Sequence, residues 1–485
     1  MEALRDDVLA LILQHLDLKD LFACRVACKR LATVALRPDV WRHRRVRSDC
    51  GHYNRPWLRA ALRLAPCVHE MKLKLGPGED DCDGLLYDTR CAAVELSVVV
   101  RRGGDDHAWC TRAARAIRNQ EALGQLRHLE LRLPGVDGFF DAPVDLDDSD
   151  IDDADLEDEA ALVRTALTVS GLESLKFSEL SSPKVADSVL KGFAVRRMST
   201  LKRFACHLDG HCHLFREYIL EKNAPTLEEV TVRCFEHEIR DGFSPIDLLI
   251  MRTGSLLAGM PKLRSLHCNL TIMDVRSLRC KPIVTRFVQK AGEFLLRSAQ
   301  LRSVRLLIST PFNSLSGLEL VVILSSTGEP QAEMLSVSQG LFTYLRDLAS
   351  ALPLLPNLQH LRLDTGIEVG MDELRKLLRT ITPKNAPALQ SIELGSLLKC
   401  HHHYMHEKST LKLLSTNPSL HVKSGTPTTC RSVSDLGMCE FCAQGCHSEM
   451  WGGNRRLLVG LFMHPVGKCP YPDVHQPSQY LWVRL

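Results

Sequence analysis

A short pattern of apolar-x-x-apolar-x-apolar residues returns ten times along this 485-residue chain, and no other feature restricts its fold as much. The copies are Val68–Leu73, Cys91–Leu96, Leu126–Leu131, Leu172–Phe177, Leu201–Cys206, Leu227–Val232, Leu263–Cys268, Leu301–Leu306, Leu358–Leu363 and Leu389–Leu394. Leu420-His421-Val422 reads as a truncated last copy. The alternation at the end of each copy is that of a strand with one face buried. Gly or Pro stands just before many copies (Pro66, Gly124, Gly171, Pro225, Pro261, Pro356, Pro387), where a turn into the strand needs it. Amphipathic helical stretches lie between copies, at Phe215–Lys222, Val284–Leu296 and Leu374–Ile381. In the second, Val284, Phe287, Val288, Ala291 and Leu295 recur on one helical face.

A strand followed by a helix, repeated, predicts an α/β leucine-rich-repeat solenoid, a horseshoe, over residues 67–423. Each unit has an apolar face that it cannot cover alone, so neighbours stack into a continuous core. The copies are unevenly spaced, from 23 residues (Val68 to Cys91) to 57 (Leu301 to Leu358). The longest gap is expected to hold an extra, degenerate strand at Leu318–Leu324 and then a helix near Leu335–Leu352. Another gap holds the acidic stretch Asp141–Glu159, read as an unstructured, solvated loop because like charges repel.

In such units the strands form an inner face, and the residues between core positions point outward. Those positions lean basic, and Arg132, Lys176, Arg233, His267, Arg305 and Arg362 would line a substrate-binding groove suited to an acidic or phosphorylated peptide. Mixed charge on a solvated strand face is the simpler account of the same residues.

Formal net charge is only +3, with both signs spread widely, which argues against a nonspecific nucleic-acid binder. No run of eighteen apolar residues is present to span a membrane, and Asp6 and Asp7 interrupt any secretory h-region. The 18 cysteines are scattered, and many sit at expected core positions, as reduced thiols would. The expectation is an intracellular protein, cytoplasmic or nuclear.

Ahead of the repeats, residues 1–47 carry more apolar surface than three short helices can bury among themselves. The first helix bears Val8, Leu9, Leu11, Ile12, Leu13 and Leu16 behind Asp6 and Asp7. Asp17 is a good N-cap for a second, carrying Leu21, Phe22, Cys24, Val26, Ala27, Cys28 and Leu31. A third (Thr33 to Leu36) should stop before Pro38. On the residues alone this is either a cap on the open end of the repeats or a docking module. The run from Leu4 through Ile12-Leu13, Leu16-Asp17-Leu18-Lys19-Asp20-Leu21, Arg25-Val26-Ala27-Cys28-Lys29-Arg30 and Pro38-Asp39-Val40-Trp41 resembles the F-box, departing from it at Arg5 and Leu31. F-box modules join substrate receptors to Skp-type adaptors in cullin-RING ubiquitin ligases. The resemblance implies that Leu4, Ile12, Leu16, Leu21, Cys28 and Trp41 line the adaptor face. Residues 48–66 would be a linker or cap.

Residues 424–485 form a Cys-rich tail, read as the C-terminal cap, with Leu457–Met463 and Trp482 as its apolar part. Cys439, Cys442 and Cys446 have spacing compatible with a zinc site that His464 and Cys469 would complete. A single CxxC without a well-spaced second pair fits free thiols in a capping segment better, so the expected cofactor is none, with a structural zinc in the tail as the alternative. The strand-helix context of a redox CxxC is missing, and His401–His403 with His406 lack a flanking carboxylate or cysteine pair, as in a surface loop. No nucleotide-binding glycine loop or catalytic triad stands out. The resulting expectation is a non-catalytic substrate-recognition subunit of an SCF-type ubiquitin ligase, partnered by a Skp-type adaptor, a cullin scaffold and a protein substrate. The alternative is a leucine-rich-repeat interaction scaffold acting outside ubiquitin transfer.

Overall fold

The computed structural model describes residues 4–47, 55–76, 88–100, 108–133, 153–178, 183–191, 200–207, 213–236, 257, 260–272, 300–309, 331–339, 344–365, 371–395, 406–424, 458–465, 467–475 and 480–485. The chain falls into two compact units, Met1–Leu227 and Glu228–Leu485.

The first unit opens with four short helices, α1 (Asp6–Leu13), α2 (Leu18–Ala27), α3 (Lys29–Val34) and α4 (Pro38–Trp41). Six strands follow: β1 (Arg45–Arg47), β2 (Cys67–Leu75), β3 (Ala92–Val100), β4 (His128–Arg132), β5 (Ser174–Ser178) and β6 (Arg203–His207). From β1 to β6 consecutive strands pair in parallel. Parallel neighbours need crossovers, and the helices among these are α5 (Arg55–Leu64), α6 (Ala108–Ala122), α7 (Asp153–Thr168) and α8 (Pro183–Leu190), with α9 (His213–Asn223) after β6.

The second unit repeats the arrangement in β7 (Glu229–Glu236), β8 (Ser265–Ile272), β9 (Ser303–Ser309), β10 (Met334–Gln339), β11 (His360–Thr365), β12 (Ser391–Gly395) and β13 (His421–Ser424). Again consecutive strands run parallel. Helices α10 (Tyr344–Ala351), α11 (Met371–Thr380) and α12 (Lys408–Thr416) lie between the later ones. β14 (Leu458–Phe462) then pairs antiparallel to β13, and β15 (Tyr480–Arg484) parallel to β14.

The repeat pattern sets the register. Leu96, Leu129, Leu175 and Phe204 are Cα partners across β3 to β6, and all are at most 1% exposed. In the second unit Val230, Leu266, Val304, Leu335, Leu361, Ile392 and Val422 form the corresponding ladder, also buried. A slip of one residue would turn a whole ladder out to solvent, so the register is strongly specified. Burying each such side chain contributes about 1.5–3 kcal/mol. Gly124 and Gly171 have φ of 75° and 74°, the left-handed conformation that the turns before β4 and β5 require.

All ten copies and the truncated one end in strands β2–β9 and β11–β13. The structure departs from the sequence pattern in four places. Residues 334–339 are strand β10, and the helix expected from Leu335 begins only at Tyr344. Ala332-x-x-Leu335-x-Val337 is an eleventh copy with alanine in its first position, and Ala332 is 1% exposed like the leucines elsewhere. The expected strand at Leu318–Leu324 and the helix at Val284–Leu296 lie outside the described residues.

The acidic stretch is the second. Its last part, from Asp153, is helical as the start of α7, with Leu156 and Glu159 buried. Acidic residues suit a helix N-terminus, and Glu157 accepts hydrogen bonds from Arg164 at 2.6 Å and Ser188 at 2.7 Å. Residues 141–152 lie outside the described residues.

Third, the opening module has four helices, not three. Cys28 is extended (φ −159°, ψ 158°), so it ends α2, and its Sγ accepts from Leu31 N at 3.4 Å to start α3. Fourth, Pro38 does not merely end a helix but opens α4 at its first turn, where a proline lacks no needed donor. Asp17 caps α2 as expected, accepting from Asp20 N at 2.7 Å.

Candidate functional site

The opening module is held together from inside by aromatic residues and one arginine. Trp41 is fully buried, donates from Nε1 to Ala35 O at 2.7 Å and packs against Phe22 with ring centroids 6.0 Å apart. Phe22 stacks in turn on Trp57 of α5. Arg44 donates to Leu13 O at 2.7 Å, Leu16 O at 2.8 Å and Val40 O at 2.9 Å, tying the end of α1 and the turn after it to α4. Burial lowers its pKa, against the opposing pull of Asp17. Arg30 ties the start of α1 to α3 through Asp6 at 2.8 Å and the Leu4 carbonyl.

With Leu9, Ala10 and Leu13 turned inward, α1 presents its other face to solvent. Leu4, Val8, Leu11 and Ile12 are 38%, 40%, 58% and 48% exposed. Val8, Leu11 and Ile12 share one stripe of the helix, and Leu4 lies just before it, ahead of the extended Arg5. Val26 on α2 is 87% exposed and borders an open groove of about 510 Å³ between α2 and α5, lined also by Phe22, Ala23, Trp57 and Leu64. Among the described residues, five of the nine exposed large apolar side chains fall between Leu4 and Val26. Exposed apolar side chains this concentrated make the opening module a candidate contact surface.

Of the residues expected on the adaptor face, Leu4, Ile12 and Cys28 are exposed and Leu16 is half-buried. Leu21 and Trp41 are 1% and 0% exposed and belong to the module's core. The sequence shows that both are apolar at helical spacing, whereas the helix crossings decide which side each faces. Val8 and Leu11, absent from the expected set, are exposed on the same stripe.

The strand face carries the basic residues expected to bind substrate, divided between the two units. Arg132 and Lys176 both approach Glu130, at 3.7 and 2.6 Å, and Ser97 Oγ donates to it at 3.2 Å. Burial raises the Glu130 pKa, but the Lys176 hydrogen bond and charge, with Ser97 and Arg132, hold it below the usual carboxylate value. In the second unit Thr231, His267, Arg305, Ser336, Arg362, Glu393 and Lys423 are successive Cα partners along one row. Arg233 lies one row away, opposite Asn269. Arg362 meets Glu393 at 3.0 Å. Much of the basic charge is thus answered within the strands, so the face is mixed in character, less cationic than a list of residues suggests.

At the far end of the second unit, His421 of β13, His464 and Cys469 after β14, and His475 of the 3-10 turn Pro472–His475 converge. Their ligand atoms all lie within 4.8 Å of one another. His421 and His464 are buried, at 0% and 5% exposure. Burial, then the neighbouring His475, His464 and Lys423 charges, lower the His421 pKa to about 4 against the opposing hydrogen bond to Gln390. The tail residues expected to bind metal are thus divided. His464 and Cys469 come together, whereas Cys439, Cys442 and Cys446 lie outside the described residues. His421 and His475 are newly brought in by the fold. His421 lies 43 residues before His464, and no local spacing motif links them.

Residues 3–47 match the F-box-like family model, the stretch that folds as α1–α4 and β1. F-box domains are in general non-catalytic modules that bind Skp-type adaptors. No curated protein matches the chain.

Proposed function

We propose that this protein is the substrate receptor of an SCF-type cullin-RING ubiquitin ligase, acting inside the cell. The α1 stripe of Val8, Leu11 and Ile12, with Leu4 just before it, would dock a Skp-type adaptor, and through it a cullin scaffold. The observation that carries the reading is that this stripe stays uncovered within a stretch matching the F-box-like family. The strand-helix units after it are read as leucine-rich repeats, whose strand face binds the protein substrate. That face is mixed in charge, so an acidic or phosphorylated segment would engage Arg305, whose Cα partners in the row, His267 and Ser336, are not carboxylates.

The mechanism would be tethering. Holding a substrate lysine near a ubiquitin thioester raises its effective concentration, and the receptor supplies no reactive group. The test is co-purification of the full chain with a Skp-type adaptor and cullin. Recovery of both, lost on substituting the α1 stripe, supports the ligase reading. Recovery of neither refutes it, and adaptor without cullin favours a repeat scaffold outside ubiquitin transfer.

A further inference from the structure

We propose that His421, His464, Cys469 and His475 form a closed tetrahedral zinc site that fastens the C-terminal strands to the end of the repeat sheet. The geometry is that of a coordination shell. His421 Nε2 lies 3.1 Å from His464 Nε2, 2.9 Å from His475 Nε2 and 3.4 Å from Cys469 Sγ, and the His464 and His475 Nε2 atoms are 3.3 Å apart. With Zn–N near 2.0–2.1 Å and Zn–S near 2.3 Å, the edges of a regular tetrahedron are about 3.3 Å between nitrogens and about 3.5 Å from nitrogen to sulfur. The four observed separations fall close to those edges.

Proton placement points the same way. His421 Nδ1 is 3.1 Å from Gln390 O, and His464 Nδ1 is 3.2 Å from Pro465 O. A carbonyl oxygen only accepts, so each Nδ1 carries the proton and donates it. In the neutral rings both Nε2 atoms are then bare acceptors, facing each other at 3.1 Å with no proton between them. Unrelieved, that contact is repulsive, and a cation at the centre makes it favourable. Histidine metal ligands are held in this way, with the second nitrogen bonded to a backbone carbonyl. The Tyr471 amide, 3.3 Å from Cys469 Sγ, is placed to donate to a thiolate.

Three nitrogens and one sulfur suit zinc, and four protein ligands leave no open position for catalysis. The site has a structural task available. Among the described residues β14 is registered to β13 through Val422–Leu461 and Lys423–Gly460, a short hydrogen-bonded attachment for the terminal strands. A metal joining β13, the segment after β14 and the turn before β15 would fasten all three. This is independent of adaptor docking.

The full-length chain, purified from zinc-supplemented medium, should contain about one zinc for these residues by elemental analysis. Cys469→Ser and His421→Gln should each reduce its loading at least tenfold. A background variant with Cys439, Cys442 and Cys446 all changed to serine should keep it. In that background, cobalt(II) in place of zinc should give intense tetrahedral bands and a sulfur-to-cobalt charge-transfer band. The cobalt measurement also decides the matter if either site variant fails to fold. A folded, zinc-free chain, loading unaffected by Cys469→Ser, or a weak octahedral cobalt spectrum without the charge-transfer band would each overturn the site.

Discussion

Changing Val8, Leu11 and Ile12 together to alanine separates docking from folding. These side chains are 40%, 58% and 48% exposed in the free chain, so each has about half its surface left to be covered by a partner. Complete burial of one such side chain is worth about 2 kcal/mol, and covering the remaining half of all three contributes about 3 kcal/mol. At 1.4 kcal/mol per tenfold, the triple variant should bind a purified Skp-type adaptor about a hundredfold more weakly by titration calorimetry. The free chain should lose little, because surface substitutions away from the core usually cost about 0.5 kcal/mol or less. Leu21→Ala is the contrast: that residue is 1% exposed, and its truncation should cost about 2–5 kcal/mol of stability. Binding lost there would report unfolding and could not map the face. A triple variant that binds within threefold of the parent, or that loses affinity only in proportion to lost folding, would refute docking through this stripe.

Other expectations follow from single side chains. Arg44→Ala removes hydrogen bonds to three carbonyls and should destabilise the opening module by about 3–5 kcal/mol, read by chemical denaturation followed through Trp41 fluorescence. Glu130 has a folded-state pKa below its ordinary value of 4.5, so its contribution is present above that pH and disappears as pH falls through the lower, folded value. Glu130→Gln should therefore cost about 1–3 kcal/mol at neutral pH and flatten the acid limb of the stability profile; an unchanged limb would contradict the assignment. A Cβ on Gly460 would come within 2.4 Å of the Trp482 ring, so Gly460→Ala should displace that indole, shift its emission and cost about 1–3 kcal/mol. An unaltered emission spectrum and melting temperature would show that the ring is not held there.

The order of strands in each unit was legible in the sequence because every copy fills the same slot. A slot with an apolar residue at each of its three positions leaves the same trace each time, and the copy at Ala332 keeps it in Leu335 and Val337. Asp17 likewise declared itself, since capping depends on residues three apart. What the sequence could not decide was which apolar residues of the opening helices face inward. Leu11 and Leu21 are the same residue type at similar spacing, yet one is 58% and the other 1% exposed. That difference comes from how α1 to α4 cross one another, a non-local property. The histidine cluster is the clearest case. His464 and Cys469 are near neighbours and were visible as a pair, but His421 joins them only because β13 lies alongside β14. Local spacing writes turns, caps and strand pattern into the chain, whereas a site built from segments 43 residues apart exists only once the sheet has brought them together.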